Sequence, residues 1–219
     1  MLTIRDDLYY CVANQRAVFL DLAANRYFCL PKKSDTAFQE LLACDHEPDA
    51  ANEEIDSLIR SGILRTDCAC GTAPSNLPLI AIPKSSIDSA GGGQAISIIE
   101  ALLHRRSATR FVGANSLWEI IETVRMNRST ASASRPLDIQ MTRDISAFAR
   151  SRHLLRTLDQ CLTNSVALLT FSKRRGFCPR LVIGVKMSPF AAHAWVQYDD
   201  IVLADEVDTI RPYTPILVV

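Results

Sequence analysis

The chain has 219 residues, of which 48% are hydrophobic and 22% charged, with 24 basic against 24 acidic side chains. That length suits one large or two small domains, and no apolar run approaches the roughly 18–20 residues of a membrane span. Residues 1–7 lack the basic and apolar regions of a signal peptide, so the chain is expected in the cytoplasm, and no membrane span is expected. The charge is unevenly spread: residues 1–66 hold seven Lys/Arg and eleven Asp/Glu, the remainder seventeen and thirteen. So acidic a front part argues against nucleic-acid binding there. The seven cysteines fall at 11, 29, 44, 68, 70, 161 and 178, and no C-x-x-C pair occurs. No metal site is therefore expected, and most of the thiols should be free and several buried as small apolar residues.

The front part opens with three short strand patterns, at residues 8–13, 17–22 and 26–30, with turns at Asn14-Gln15 and Ala23-Ala24-Asn25. Alternation is clearest in the third, where Tyr27 and Cys29 oppose Phe28 and Leu30. Pro31 ends it. Ser34 is placed as the cap of a helix over 35–44, with Phe38, Leu41 and Leu42 inward. A second helix is expected over 52–61, with Ile55, Leu58 and Ile59 inward and Gly62 closing it. Three strands followed by helices, in about 66 residues, predict a small winged-helix-like domain over 1–66.

Residues 67–93, with Pro74, Pro78, Pro83 and Gly91-Gly92-Gly93, read as a linker. No G-K-[ST] follows the glycines, so they are not a phosphate loop. Helical periodicity predicts three helices beyond it, over 95–106, 117–128 and 139–158. Trp118, Ile121 and Val124 are expected to face inward on the second, and Ile145, Phe148 and Leu154 on the third. His104 and His153 sit among basic residues and need no function.

The last part carries the chemistry. Residues 160–175 read as a helix, with Leu162, Val166 and Leu169 on one face, basic residues in the last turn and Gly176 after it. Asp159 is a candidate cap, which places Cys161 in the first turn. Unpaired backbone N–H groups and the helix dipole favour a thiolate there, and with a basic partner such thiols fall from about 8.5 to roughly 3.5–7.5. Three strands follow, at 181–185, 194–197 and 201–204, the last two joined across Tyr198-Asp199-Asp200. A three-residue loop sets His193 opposite Asp205; a two-residue loop moves the register by one and leaves them neighbours. A carboxylate beside one ring nitrogen leaves the other free to take a thiol proton. Nucleophile, base and orienter are then Cys161, His193 and Asp205. Cys178, before Pro179 in a loop, is the rival thiol. The C-terminal residues 211–219 are expected to dock as an edge strand or onto a partner.

Residues 161–168, Arg175-Gly176, 180–185, 189–196 and 202–205 together resemble the B proteins of lasso-peptide gene clusters, the leader peptidases of the microcin J25 and capistruin type. The order helix-Cys, strand-His, strand-Asp is also that of transglutaminase-like and papain-like thiol enzymes. The resemblance implies an α+β protein whose residues 94–219 form a transglutaminase-like cysteine peptidase with Cys161, His193 and Asp205 as its triad. In that family the cysteine directly follows an acidic residue; here Gln160 intervenes. The front part resembles the PqqD-like precursor-recognition domains that take a leader peptide as an added strand. On that likeness the groove would be built from Arg26, Tyr27, Phe28, Cys29 and Leu30 with Ile55 and Ile59. The implied partners are a lasso precursor peptide and an asparagine-synthetase-like cyclase. No cofactor motif is present, and ATP is assigned to the pair with that cyclase. A non-catalytic peptide-binding chaperone and a transglutaminase-type acyl transferase remain the competing readings.

Overall fold

The computed structural model describes residues 2–43, 53–66, 80–87, 95–129, 136–151 and 160–219. It divides into two compact units, Met1–Pro78 and Leu79–Val219.

The first unit is built on a three-stranded antiparallel sheet of β2 (Leu8–Ala13), β3 (Arg16–Asp21) and β4 (Arg26–Cys29), in that order. Asn14 and Gln15 both have positive φ, at 50° and 61°, the twist that a two-residue hairpin loop demands. Before the sheet lies β1 (Leu2–Ile4), a strand too short to leave a periodic signal. It pairs with β5 (Leu64–Thr66) in a separate two-stranded sheet, so the apolar pair Ile63-Leu64 returns to β1 and not to the main sheet.

Helix α1 (Lys32–Ala43) begins earlier than its sequence suggested. The carbonyl of Pro31 accepts the Asp35 N–H at 2.8 Å, so Ser34 lies inside the helix and is no cap. Ser34 instead donates to Glu54 of α2 (Glu53–Arg60) at 2.6 Å. Asp35 accepts the Ala17 N–H at 3.0 Å and pairs with Arg16, tying α1 to β3. Gly62, at φ 72°, ends α2 in a left-handed turn, with Ile63 N–H returning to Leu58 O. Tyr10, Phe19 and Phe38 meet at the centre of this unit's core, Phe19 stacking on Phe28 at 5.1 Å. Among the described residues this unit is a strand meander with two helices and a β1–β5 ribbon.

The second unit holds a five-stranded sheet in the order β10-β7-β8-β9-β6. These are β6 (Ser85–Ile87), β7 (Arg180–Met187), β8 (Phe190–Tyr198), β9 (Ile201–Leu203) and β10 (Thr214–Val218). β6 lies within the stretch that composition marks as linker. It pairs in parallel with β9, more than a hundred residues away, so nothing local announces it. The C-terminal residues do form an edge strand, antiparallel to β7.

Helices α3 (Ala95–Ala114), α4 (Leu117–Ser129), α5 (Ile139–Ser151) and α6 (Cys161–Lys173) lie between β6 and β7 in sequence. α3 runs eight residues past Arg106, the end expected from periodicity. Thr109 satisfies its hydroxyl on Arg105 O at 2.9 Å, and Ala108 keeps the inward stripe. On α4, Ile120 and Ile121 face inward while Trp118 is 47% exposed, against expectation. Ser116 and Glu119 form a reciprocal cap at its start, Ser116 N–H reaching Glu119 Oε2 at 2.7 Å. On α5, Ile145 and Phe148 are buried as expected; Leu154, Leu155, Leu158, His153 and Asp159 fall outside the described residues.

Alternating side chains of β8 feed two clusters. Val196 joins Phe171, Phe177, Phe148 and the faces of α3, α5 and α6. Trp195 joins Val182, Val202 and Ile210 of α7 (Val207–Ile210). Among the described residues, no helix is long and apolar enough to cross a membrane.

Candidate active site

Cys161 is the first residue of α6, where a helix has no acceptor of its own for the backbone N–H. Gln160, at φ −110° and ψ 38°, occupies the cap position and makes no side-chain cap bond; its carbonyl takes the Asn164 N–H at 2.8 Å. The helix end is a Schellman turn at Gly176, φ 72°, with Phe177 N–H on Ser172 O. Ser165 donates to Ala194 O at 3.0 Å, a buried bond that ties α6 to β8 beside His193.

The β8–β9 hairpin has a two-residue loop: Tyr198 pairs with Ile201, Gln197 with Val202 and Val196 with Leu203. Ala204 then turns the chain out of the strand at φ 57°, its N–H bonded to Ile87 O of β6 at 2.7 Å. That left-handed residue brings Asp205 back toward His193, and Asp205 Oδ2 lies 2.8 Å from His193 Nε2. Asp205 Oδ1 accepts the Glu206 N–H at 2.9 Å, which fixes the carboxylate at both oxygens.

With Nε2 taken by Asp205, the ring's other nitrogen is the one that meets Cys161. Burial pushes the Cys161 thiol up, but bonds to His193 and to the Ala194 and Leu162 N–H groups outweigh it and hold the thiol below its ordinary value. Burial likewise lowers His193, yet its bonds to Asp205 and Cys161 raise it to about 9. Both shifts run in the direction of a thiolate–imidazolium pair. Trp195 stacks on His193 at 6.3 Å and Tyr213 lies tilted to it at 5.4 Å, so two aromatic rings pack near the imidazole. Gly184, the partner of His193 on β7, leaves room for Trp195: a Cβ there would lie 2.8 Å from the indole ring.

All three residues line one cavity of about 570 Å³, together with Gln160, Asn164, Arg105 and Tyr213. Arg105 and Asn164 were missed in the sequence. Arg105 is 4% exposed, and nothing local marks it as buried among the basic residues of α3. Asn164, one helical turn beyond Cys161, could have been found from that spacing. Cys178 is half-buried in the loop after α6 and lines a different cavity, formed by α3, α4 and α6.

The residues expected to form a peptide groove belong to the first unit. Arg26, Tyr27, Phe28 and Cys29 make up β4, an outer strand of its sheet. Leu30 and Ile55 are 5% and 6% exposed and are committed to the core, while Ile59 packs against it with one side open. Core and groove share one apolar pattern, and these two side chains are spent on the core.

A helix-borne thiol facing a histidine–carboxylate pair on an antiparallel sheet is the arrangement of thiol acyl-transfer proteins. The family described as the transglutaminase-like superfamily matches residues 106–218, and the chain belongs to it. No curated protein and no solved structure matches the chain. The superfamily fold accommodates cysteine proteases and acyl transferases alike.

Proposed function

We propose that the chain is a cysteine peptidase that removes the leader of a ribosomally made lasso-peptide precursor. The observation that carries the chemical half is the 2.8 Å bond between His193 Nε2 and Asp205 Oδ2, with the ring's far side on a thiol held below its ordinary pKa. Thiolate Sγ attacks the carbonyl carbon at the leader–core junction, and the carbonyl electron pair moves onto oxygen. Collapse re-forms the carbonyl and breaks the C–N bond. His193 delivers its proton to the leaving amine, which departs as the free core peptide. The thioester left on Cys161 takes water, His193 now acting as base, and the leader acid is released. Asp205 orients the imidazole and stabilises its charge throughout.

The peptide half rests on the sequence resemblance and on β4 being an outer strand among the described residues, the position at which a leader would be added as a strand. The freed core amine would pass to an asparagine-synthetase-like cyclase, with which any ATP requirement is shared. The experiment is intact mass of the full chain mixed with precursor, with and without cyclase and ATP. Free leader, absent with Cys161→Ala, is the expected result. A complex without cleavage under every condition would favour a binding chaperone. A product heavier by an amine, with no hydrolysis, would favour an acyl transferase that uses the same thioester.

A further inference from the structure

Arg105 and Asn164 stand beside the thiol with no part in the steps above. Arg105 Nε donates to Ser151 Oγ at 2.8 Å, Nη2 to Phe148 O at 3.1 Å, and Nη1 to Asn164 Oδ1. Its guanidinium lies 4.3 Å from the centre of the Phe148 ring. A buried group held at each of its nitrogens and stacked on an aromatic face has one orientation. A guanidinium only donates, so the end of the Asn164 amide facing it is the oxygen. The Asn164 Nδ2 hydrogens are therefore turned the other way.

Asn164 follows Cys161 by three residues on α6, so the two share a face. Helical side chains lean toward the helix N-terminus, and the Asn164 amide thus covers the turn that Cys161 begins. Asn164, Cys161 and Arg105 line the same cavity. We propose that Asn164 Nδ2 is the second donor to the oxyanion, beside the Cys161 N–H, and that Arg105 is the positioning residue that fixes its amide. This rests on the thiol acyl-transfer reading of Cys161. The alternative amide, Gln160, also lines the cavity, but its side chain makes no cap bond. An oxyanion donor acts by being held in place before charge develops, and Asn164 is the amide so held.

The test compares two reactions of the same thiol in the full-length chain. With 4-nitrophenyl acetate, Sγ bonds the carbonyl carbon, the electron pair moves to oxygen, and collapse expels 4-nitrophenolate to leave an acetyl thioester. With iodoacetamide, Sγ displaces iodide from a saturated carbon and no oxyanion forms. The ratio of acylation to alkylation at Cys161, with Cys161→Ala subtracted as background, isolates the oxyanion. Asn164→Ala is expected to lower that ratio by roughly 10²–10³-fold, the usual loss for one such donor. Asn164→Asp should lower it as far while keeping an acceptor for Arg105, and thermal melting checks that each variant folds. Arg105→Lys, which keeps the charge and loses the fork, should lower it about tenfold, as expected for lost geometry alone. A ratio within twofold of wild type in both Asn164 variants overturns the proposal, as does a fall seen with Gln160→Ala in their place. If wild-type Cys161 alkylates no faster than Cys29 and Cys178, the thiol-enzyme reading fails and the proposal with it; a fast Cys161 with an unchanged ratio removes the proposal alone.

Discussion

Asp205 decides the working pH of the site. Burial by itself would drive His193 below its ordinary 6.5; the carboxylate and the thiol together carry it to about 9. Thiolate forms as pH rises through the lowered value of Cys161, and proton delivery to the leaving amine is lost as pH rises through about 9. Cleavage should therefore follow a bell with its alkaline limb near 9. In Asp205→Asn the alkaline limb should move toward neutral pH, and the maximal rate should fall about 10²–10⁴-fold. An unmoved limb in that variant would detach the carboxylate from the imidazole. Stability follows the same signs. The His193 contribution is full below 6.5 and is lost as pH climbs through about 9, because its folded pKa is the higher one. The Cys161 contribution runs the other way: it is present above the ordinary thiol value and lost as pH falls through the lowered one.

At the scale of elements, β7 and β8 hold the imidazole by leaving space. Gly184 sits opposite His193, and an added methyl would collide with Trp195 at 2.8 Å and meet Thr214 O of β10 at 3.1 Å. Gly184→Ala should cost about 1–3 kcal/mol, the usual penalty for overpacking, and displace the indole that backs His193. Urea unfolding reads the first effect, and the alkylation rate of Cys161 reads the second; a variant unchanged in both would remove Gly184 from the support of the site. Much at this scale was legible beforehand. β2 was read at its observed bounds, because six residues of strand between turn signals leave little choice. The hairpin that joins His193 to Asp205 could be deduced with either loop length, since both registers keep them adjacent. What stayed illegible was non-local. β6 has three residues and a partner far along the chain, and Arg105 is buried by contacts from α5 and α6 that its own neighbours do not announce. Trp118 misled because an aromatic residue at helical spacing normally faces the core.

For the molecule as a whole, the proposed division of labour sets binding in Met1–Pro78 and chemistry in Leu79–Val219. It can be separated by proline. Neighbouring residues of a strand point their N–H groups to opposite sides. Of the Tyr27 and Phe28 N–H groups, one therefore points toward β3 and the other toward the side of β4 on which no strand pairs among the described residues. Proline at the outward position should leave melting within about 0.5 kcal/mol of wild type, since an outer strand tolerates it there. It should also abolish binding of a labelled leader while Cys161 keeps its alkylation rate. Leader bound equally well by a folded variant of each kind would rule out strand addition at β4.

The indole behind His193 has a use of its own. Of the chain's two tryptophans, Trp118 is 47% exposed and Trp195 only 3%, so their emission separates by colour. Trp195 stacks on His193, and an electron-poor imidazolium at that distance dims an indole in a way the neutral ring does not. In Trp118→Phe, fluorescence should brighten as pH passes about 9, where His193 loses its proton. Alkylating Cys161 removes one of the groups that hold that proton, so the brightening should then come at lower pH. The protein thus carries an optical gauge of its own imidazole, readable without substrate, precursor or partner.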